Sequence, residues 1–290
     1  EVTGGSTLPE GTGLKYTTNL GATWTSIPQP LDHPDSTTEQ YGINTLQALP
    51  VTVSIQNLAY DIAFTPNTIW IATFAGGLRK STDNGQTWKR LILPPDNLNS
   101  ISPTDSLDFC LSPVAGGFCG EGNLNHRVFS VISTDDNTLY VGTAGGINKT
   151  TNANSEYPTW TKFSAQNQSQ PISGNFITAL GYNPVSNTVW ASSWKAEDQS
   201  EFYGVSSSSD GGQTWRTYLR DERPHNFGFK GFHTMIPTDN GVFRSSDNGL
   251  TWLLPNSIVD AESEASLRTN IFYAADSYQN KIWLGTADGL

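Results

Sequence analysis

An eight-residue motif that recurs along the chain constrains the fold more than any other feature of the sequence. It reads Ser-Thr-Asp-Asn-Gly-Gln-Thr-Trp at residues 81–88, and its Ser, Asp, Gly, Thr and Trp return at the same spacing at 208–215 and 245–252. A copy with Asn in place of Asp occupies 17–24, and a degenerate copy with an insertion occupies 150–160. We call this motif the Asp turn. Its repetition predicts a fold made of several similar units.

The chemistry of the motif is that of a β-hairpin turn. The Asp carboxylate can accept hydrogen bonds from backbone N–H groups of its own turn, and the Gly supplies a position with positive φ. The Trp then begins the next strand and buries a large apolar surface between neighbouring sheets. A structural role of this kind, and not a catalytic one, is predicted for Asp83, Gly85, Trp88, Asp210, Gly212, Trp215, Asp247, Gly249, Trp252, Asn19, Gly21 and Trp24.

Two further stretches recur upstream of the Asp turns. One is an alternating strand that leads into a Gly-containing turn, as in Ile69–Thr73, Leu139–Thr143 and Ile282–Thr286, with a variant at Val189–Ser193. The other is an apolar inner strand that starts after an Asn each time, namely Asn57, Asn125, Asn175, Asn226 and Asn270. The pattern therefore predicts four antiparallel strands in each repeat, with the Asp turn joining the third strand to the fourth.

These units predict an all-β fold, a β-propeller of four-stranded antiparallel blades in a single domain over 1–290. Complete blades are expected at about 57–93, 125–163, 175–219 and 226–254, and half blades at 1–28 and 270–290. The chain thus holds five blade equivalents. The two halves could pair into a fifth blade and close the ring, which would remove exposed edges. The alternative, slightly favoured because residues 1 and 290 fall within blades, is a window cut from a larger ring, for example one of seven blades.

The pattern Asp83-x-Gly85-x-Thr87-Trp88 and its copies resemble the Asp-box, or BNR, repeat over nearly the whole chain. That repeat is found in sialidases, xyloglucanases, sortilin-type receptors, photosystem II assembly factors and many secreted bacterial surface proteins. The resemblance implies a β-propeller. It is weak for function, because those families do unrelated things.

Composition narrows the function classes. Of 290 residues only 15% are charged, against roughly 25% in average domains, and Ser, Thr, Asn and Gly fill the gap. The net charge of −11 disfavours nucleic acid and anionic lipid as partners. No apolar run approaches the roughly 20 residues of a membrane span. We expect a secreted, extracellular or cell-surface protein, of bacterial origin by the resemblance.

The two cysteines, Cys110 and Cys119, lie close together in a loop that contains Gly and Pro. In an oxidising compartment they are expected to form a disulfide bond that closes a small loop. Two free buried thiols or a metal pair are the alternatives, although no His near them in sequence has metal-ligand spacing.

The sequence predicts no catalytic residue, cofactor or metal ligand. The arginines are not arranged as the carboxylate-binding triad of a sialidase. A xyloglucanase-like hydrolase needs a second propeller and a pair of carboxylates, for which Asp61, Glu197 and Asp276 are the candidates. We therefore expect a binding or scaffold protein, with a glycoside hydrolase fragment or an assembly factor of a larger complex as alternatives.

In a ring of such blades, most long insertions fall on the face of the ring opposite the Asp turns. These insertions are 28–56, 94–124, 164–174, 195–204 and 255–269. Binding to a protein or glycan partner is expected on that face, because scaffolds carry function on long loops. The position after each second strand holds Phe74, Ala144, Trp194, Asp239 and Ala287. The predicted binding residues are Phe74 and Trp194, assisted by Lys195, Arg127 and His126 and by the five Asn residues that start the inner strands. Packing of the two aromatic side chains under the loops is the alternative.

Overall fold

A computed structural model of the chain describes residues 2–3, 6–196, 200–259, 261–279 and 281–289. It divides into two compact units, Glu1–Lys162 and Phe163–Leu290. The described part is built from β-strands, and its helices are two short 3-10 turns, Gly117–Cys119 and Leu124–His126. The predicted all-β class is confirmed.

The strands of the first unit, in chain order, are β1 (Val2–Thr3), β2 (Ser6–Thr7), β3 (Leu14–Tyr16), β4 (Thr25–Ile27), β5 (Thr38–Tyr41), β6 (Asn44–Ala48), β7 (Ala59–Thr65), β8 (Thr68–Thr73), β9 (Gly77–Ser81), β10 (Lys89–Arg90), β11 (Ser100–Ile101), β12 (Cys110–Leu111), β13 (Val128–Ser133), β14 (Leu139–Thr143), β15 (Gly146–Thr150) and β16 (Trp160–Phe163). Two blades dominate this unit. One has the strand order β10-β9-β8-β7, and the other has the order β13-β14-β15-β16 with β11 added at its outer edge.

The strands of the second unit are β17 (Phe176–Asn183), β18 (Thr188–Trp194), β19 (Gly204–Ser208), β20 (Arg216–Tyr218), β21 (Gly228–Lys230), β22 (His233–Thr238), β23 (Gly241–Ser245), β24 (Phe272–Tyr278) and β25 (Lys281–Thr286). Strands β17 to β20 form a four-stranded antiparallel blade. Strands β21 to β23 form a second sheet, which a single bridge between Arg244 and Leu253 extends, and β24 pairs with β25.

The consecutive antiparallel strands fall in the stretches where the repeats were read, although β11 of the second blade lies outside 125–163. The hairpin β3–β4 carries the Asn copy of the Asp turn. The four longest inner strands share an irregularity near their start. The pairing register shifts at Ala59/Asp61, Val128/Ser130, Ile177/Ala179 and Phe272/Ala274. A β-bulge at the same place in four of the five inner strands supports the repeat that the sequence predicted. The number of blades in a ring, and the single domain over 1–290, stay predictions.

The Asp turns have the predicted hydrogen bonds. In the copy at 245–252, Asp247 accepts the Thr251 backbone N–H at 2.9 Å, the Thr251 hydroxyl at 2.6 Å and the Ser245 hydroxyl at 2.7 Å. The Gly249 N–H donates to the Ser245 oxygen at 2.8 Å. The same contacts recur around Asp83 and Asp210. These carboxylates are therefore occupied by their own turns.

The glycine of the turn is needed for two reasons at Gly249. Its φ is +86°, which L side chains rarely adopt. A Cβ atom there would also lie 2.7 Å from the Trp190 ring. The Asp turn of one sheet thus packs against the sheet before it.

The turn tryptophans differ in burial more than the motif predicts. Trp215 is 3% exposed and Trp160 is fully buried, whereas Trp88 and Trp252 are half-buried and Trp24 is 59% exposed. Trp88 and Trp215 also precede the fourth strand by one residue and do not begin it. The deepest tryptophans outside the motif are Trp70 and Trp190 on the second strands, both fully buried.

The insertions 28–56 and 94–124 contain regular structure that the sequence analysis did not predict. Strands β5 and β6 form a hairpin, and β12 joins it in parallel, with Cys110 opposite Gln47. Cys110 and Cys119 are bonded, which confirms the disulfide and excludes the free-thiol and metal-pair alternatives. The disulfide closes a loop that starts at β12 of this added sheet.

Candidate binding sites

Trp194 ends strand β18 and lies at the centre of an aromatic cluster in the second unit. Its ring meets Phe176, Tyr203 and His225 edge-on, with centroids 6.1, 6.3 and 6.4 Å away. The His225 ring also contacts Tyr273 at 5.5 Å. Trp194 is half-buried and Tyr273 is 52% exposed, so the cluster presents part of its aromatic surface to solvent.

Charged groups lie directly beside this cluster. The His225 Nε2–H donates to the Asp239 carboxylate at 2.8 Å, and the Arg223 guanidinium lies 4.0 Å from the other oxygen of that carboxylate. Arg223 also stacks over the Tyr203 ring at 5.0 Å. His225 therefore links Trp194, the last residue of β18, with Asp239, which follows β22. We call the set Trp194, Tyr203, Arg223, His225, Asp239 and Tyr273 the Trp194 site.

Sequence reasoning identified only part of the Trp194 site. It singled out Trp194 as an unusual residue after a predicted second strand and placed Asp239 at the corresponding position of the next sequence repeat. It did not connect Tyr203, His225 or Tyr273 with them, because these contacts join distant loops and strands. A sequence signal for part of the site was present, because Trp194 and Asp239 occupy the same position of two consecutive repeats.

Phe74, the corresponding residue of the first unit, belongs to a second aromatic cluster. Its ring lies 5.9 Å from that of Phe129, and Phe129 lies 5.1 Å from Tyr60. The guanidinium of Arg127 stacks over Phe74 at 5.7 Å. The predicted pair Phe74 and Arg127 is thus in contact. Phe74 is half-buried and Tyr60 is 51% exposed.

The asparagines that start the inner strands in the first unit are internal. Asn57 is fully buried, donates to Pro30 O and accepts the Gly76 N–H. Asn125 is equally buried and donates to Pro94 O. These amides fasten the entering chain to the blade, because buried polar groups must be hydrogen-bonded. Their contacts account for both residues without a ligand.

The remaining predicted residues lie nearer the surface. Asn175 is half-buried and donates to Glu201 and Gln166, and the Asn226 side chain accepts the Ala275 N–H at 2.6 Å. Asn270 and Lys195 are exposed. Lys195 precedes the residues around Glu197, which lie outside the described part of the chain.

His126 is not a surface residue. Its side chain is 6% exposed, and Nε2 hydrogen-bonds the Leu93 carbonyl at 3.2 Å. Burial lowers its pKa from 6.5 to about 4. A partner cannot reach this imidazole, so burial does not fit the assisting role expected for His126.

The candidate carboxylates of a hydrolase belong to different units of the structure, and Asp61 is held by hydrogen bonds. Asp61 accepts hydrogen bonds from the Ser130 hydroxyl at 2.6 Å and from the Val131 N–H at 2.9 Å, so it ties β7 to β13. Burial raises its pKa. Asp276 is exposed on β24 in the other unit, and Glu197 lies outside the described residues. Within the described residues, no group of three or more His, Cys, Asp or Glu side chains is placed to hold a metal ion.

A buried ion cluster in the first unit was missed by sequence reasoning. Asp32 contacts Arg79 at 2.8 Å and also Arg90, and both arginines are buried. The cluster fastens the insertion 28–56 to the outer strands of the first blade. Two of the chain's arginines therefore have a structural role.

No family model matches the sequence, and no curated protein matches it. Solved structures do match. The extracellular domain of the putative hybrid two component system BT4673 from B. thetaiotaomicron has a TM-score of 0.53 and 17% identity, over 81% of this chain and 27% of that one. The same domain, described as that of a putative one component system, gives a TM-score of 0.54.

The Niastella koreensis GH74 enzyme has a TM-score of 0.50 and 17% identity, over 85% of this chain and 35% of that one. The chain thus spans about a quarter to a third of the length of these structures. The similarity shows the fold alone, and it confirms the predicted β-propeller class. No helix in the described ranges has both the length and the apolar character needed to cross a bilayer.

Proposed function

We propose that this chain is a non-catalytic, extracellular binding or scaffold propeller that engages a protein or glycan partner through the Trp194 site. The observation that carries the proposal is the convergence of Trp194, His225 and Asp239, which come from separate segments and meet at a half-exposed surface. Trp, Tyr and Arg are the residues that most often dominate binding energy at interfaces. All three types occur in this site.

The contacts that orient the side chains of the Trp194 site also support a binding role. His225 is hydrogen-bonded to Asp239, and Arg223 stacks on Tyr203, so several side chains are oriented before a ligand arrives. Preorganised side chains lose less conformational entropy on association. The site therefore offers rigid aromatic surface next to oriented polar groups.

Two finer assignments belong to the same proposal. The hydrogen bonds of the Asp turns support membership of the Asp-box repeat group, because Asp, Thr and Gly act in each copy as that motif requires. An extracellular or cell-surface location is supported by the Cys110–Cys119 disulfide, since such bonds persist in oxidising compartments.

The non-catalytic part of the proposal rests on the candidate carboxylates. A glycosidase needs two carboxyl groups roughly 5–10 Å apart across the scissile bond. Asp61 is engaged by three donors, from Ile62, Ser130 and Val131. Among the residues that the structure describes, no contact favours the hydrolase alternative over binding.

The test uses two probes, a panel of defined oligosaccharides and a phage-displayed peptide library. We expect at least one probe to bind, and Trp194→Ala to weaken that binding at least about tenfold while the melting temperature stays within a few degrees. Trp24→Ala is the matched control, because Trp24 is 59% exposed on the hairpin β3–β4. Failure of Trp194→Ala to weaken the binding of any probe, or turnover of an oligosaccharide, contradicts the proposal.

A further inference from the structure

Arg127 is held in a fixed position in the first unit. Its Nε–H donates to the Pro113 carbonyl at 2.6 Å, and its guanidinium lies over the Phe74 ring. Pro113 belongs to the loop that the Cys110–Cys119 disulfide closes. Asn123 ties the same loop down, since its backbone N–H donates to Ser112 O. The guanidinium is therefore oriented by a crosslinked loop on one side and an aromatic ring on the other.

This oriented cation has no anionic partner in the part of the chain that the structure describes. The arginines in ion pairs there are Arg79, Arg90, Arg220 and Arg223. Arg223 is the closest analogue in the second unit, because it also stacks on an aromatic ring, but its charge faces Asp239. Arg127 is half-buried, and its terminal nitrogens are the part of the guanidinium that the Pro113 contact leaves unused.

An apolar surface continues from Arg127 along strand β7. Beyond Phe74 and Phe129, the side chains of Tyr60, Ile62 and Phe64 are 51%, 42% and 61% exposed. Ile62 and Phe64 alternate with the buried Ala63 and so share one face, and the exposed Tyr60 precedes them at the β-bulge. The stripe spans about 13 Å, taking roughly 3.3 Å per residue.

We propose that Arg127 and this stripe bind an extended peptide segment in which an acidic side chain lies next to apolar or aromatic residues. The inference rests on the proposed binding function and adds a second site with a defined ligand chemistry. The guanidinium would receive the carboxylate in a bidentate, charge-assisted contact, which is the geometry that arginine favours. The stripe would take the apolar side chains.

A peptide fits this surface better than an acidic sugar does. The rings meet at 60° and 65°, so they do not form one flat platform on which a sugar ring could stack. Tyr60 contributes the one hydroxyl of the exposed stripe, whereas a sugar needs several hydrogen-bonding groups.

The test begins with a phage-displayed library of random dodecapeptides selected against the intact protein. We expect a consensus with Asp or Glu beside an aromatic or aliphatic residue. A selected peptide is then measured by fluorescence anisotropy together with its Asn or Gln counterpart. The amide peptide should bind at least about tenfold more weakly, as expected for the loss of a charge-assisted hydrogen bond.

Arg127→Gln should weaken the acidic peptide by a similar factor and should not weaken the amide peptide further. Tyr60→Ala, which removes an exposed ring, should weaken both peptides. Arg216→Gln is the matched control, because Arg216 also stacks on an aromatic ring, at 5.4 Å from Tyr218, but lies on β20 in the other unit. It should change neither affinity. Melting curves of all variants check that they fold.

The inference is overturned by an acid-free consensus, by a selection that yields no binder, or by a peptide that the Arg127→Gln variant binds as tightly as the unaltered protein does. Polygalacturonate that binds through Arg127 while no peptide does would reassign the site to acidic glycans. Peptides that lose affinity in Trp194→Ala but not in Arg127→Gln refute this inference and leave the proposed function standing. Loss in neither variant counts against both.

Discussion

The indole rings of Trp190 and Trp252 meet edge to face, with their centroids 6.0 Å apart. Trp190 lies on a second strand and is fully buried, and Trp252 closes the Asp turn of the following sheet. Tyr218 stacks on Trp190 at 5.6 Å and also meets the Trp252 ring edge-on at 5.8 Å. Within the second unit, the turn tryptophan of one sheet thus packs on the second-strand tryptophan of the sheet before it.

Removing the tryptophan rings of the second strands and of the Asp turns should destabilise the protein in proportion to their burial. Trp190→Ala and Trp215→Ala should each cost about 3–5 kcal/mol, because both side chains are buried and a cavity remains. Trp88→Ala and Trp252→Ala should cost less, since these side chains are half-buried. Urea unfolding measures the free-energy differences, with Trp24→Ala as the control expected to change little. Equal midpoints for all five variants would refute the anchor role.

The Asp turns should make the protein sensitive to acid in a defined window. In Asp247 the Thr251 hydroxyl, the Thr251 N–H and the Ser245 hydroxyl lower the pKa from 3.8 to about 2. A carboxyl group with a lowered pKa in the folded state stabilises the fold above its unfolded pKa, near 4, and loses this contribution as the pH falls through 2. Asp247→Asn should therefore destabilise the protein at pH 6, and the difference should shrink towards pH 2. Urea midpoints at both pH values give the comparison. A difference independent of pH would contradict the role of the charge.

His126 should add a second pH dependence at higher pH. Burial lowers its pKa from 6.5 to about 4, so the folded state binds fewer protons than the unfolded state between these values. The stability contribution is complete above pH 6.5 and is lost as the pH falls towards 4, by on the order of 2–3 kcal/mol. As the pH falls from 6.5 to 4, the free energy of unfolding of the unaltered protein should decrease more steeply than that of the His126→Gln variant. Parallel pH profiles of the two proteins would show that His126 does not titrate as described.

The Cys110–Cys119 bond should stabilise the added sheet of the first unit. Breaking it with Cys110→Ser and Cys119→Ser should lower the free energy of unfolding by about 2–3 kcal/mol in the chain-entropy model. Non-reducing mass spectrometry of the unaltered protein should show a mass two hydrogens below the reduced value. The double variant should also bind the acidic peptide more weakly, because Pro113 in this loop orients Arg127. Free thiols in native material would contradict both the bond and the extracellular location.

Local signals predicted the repeating parts of the fold, and long-range contacts were beyond them. Alternation and the Asp turns located the blade strands, because each blade is held together by neighbouring segments. The parallel pairing of Cys110 with Gln47 and the contacts of Asp32 with Arg79 and Arg90 join distant insertions, and no local pattern indicates them. The candidate sites follow the same division. Phe74 and Trp194 were marked by their position in the repeat, whereas His225 and Tyr273 entered through tertiary packing.

The most direct test of the central claim combines binding and turnover at the Trp194 site. The protein and its Trp194→Ala variant are incubated with the oligosaccharide panel and the peptide library, and bound ligand and released reducing ends are measured on the same samples. The account predicts a bound ligand, loss of at least about tenfold in affinity in the variant, unchanged melting, and no release of reducing ends. Release that a single carboxylate substitution abolishes, or full retention by the variant of the binding of every probe, would contradict it.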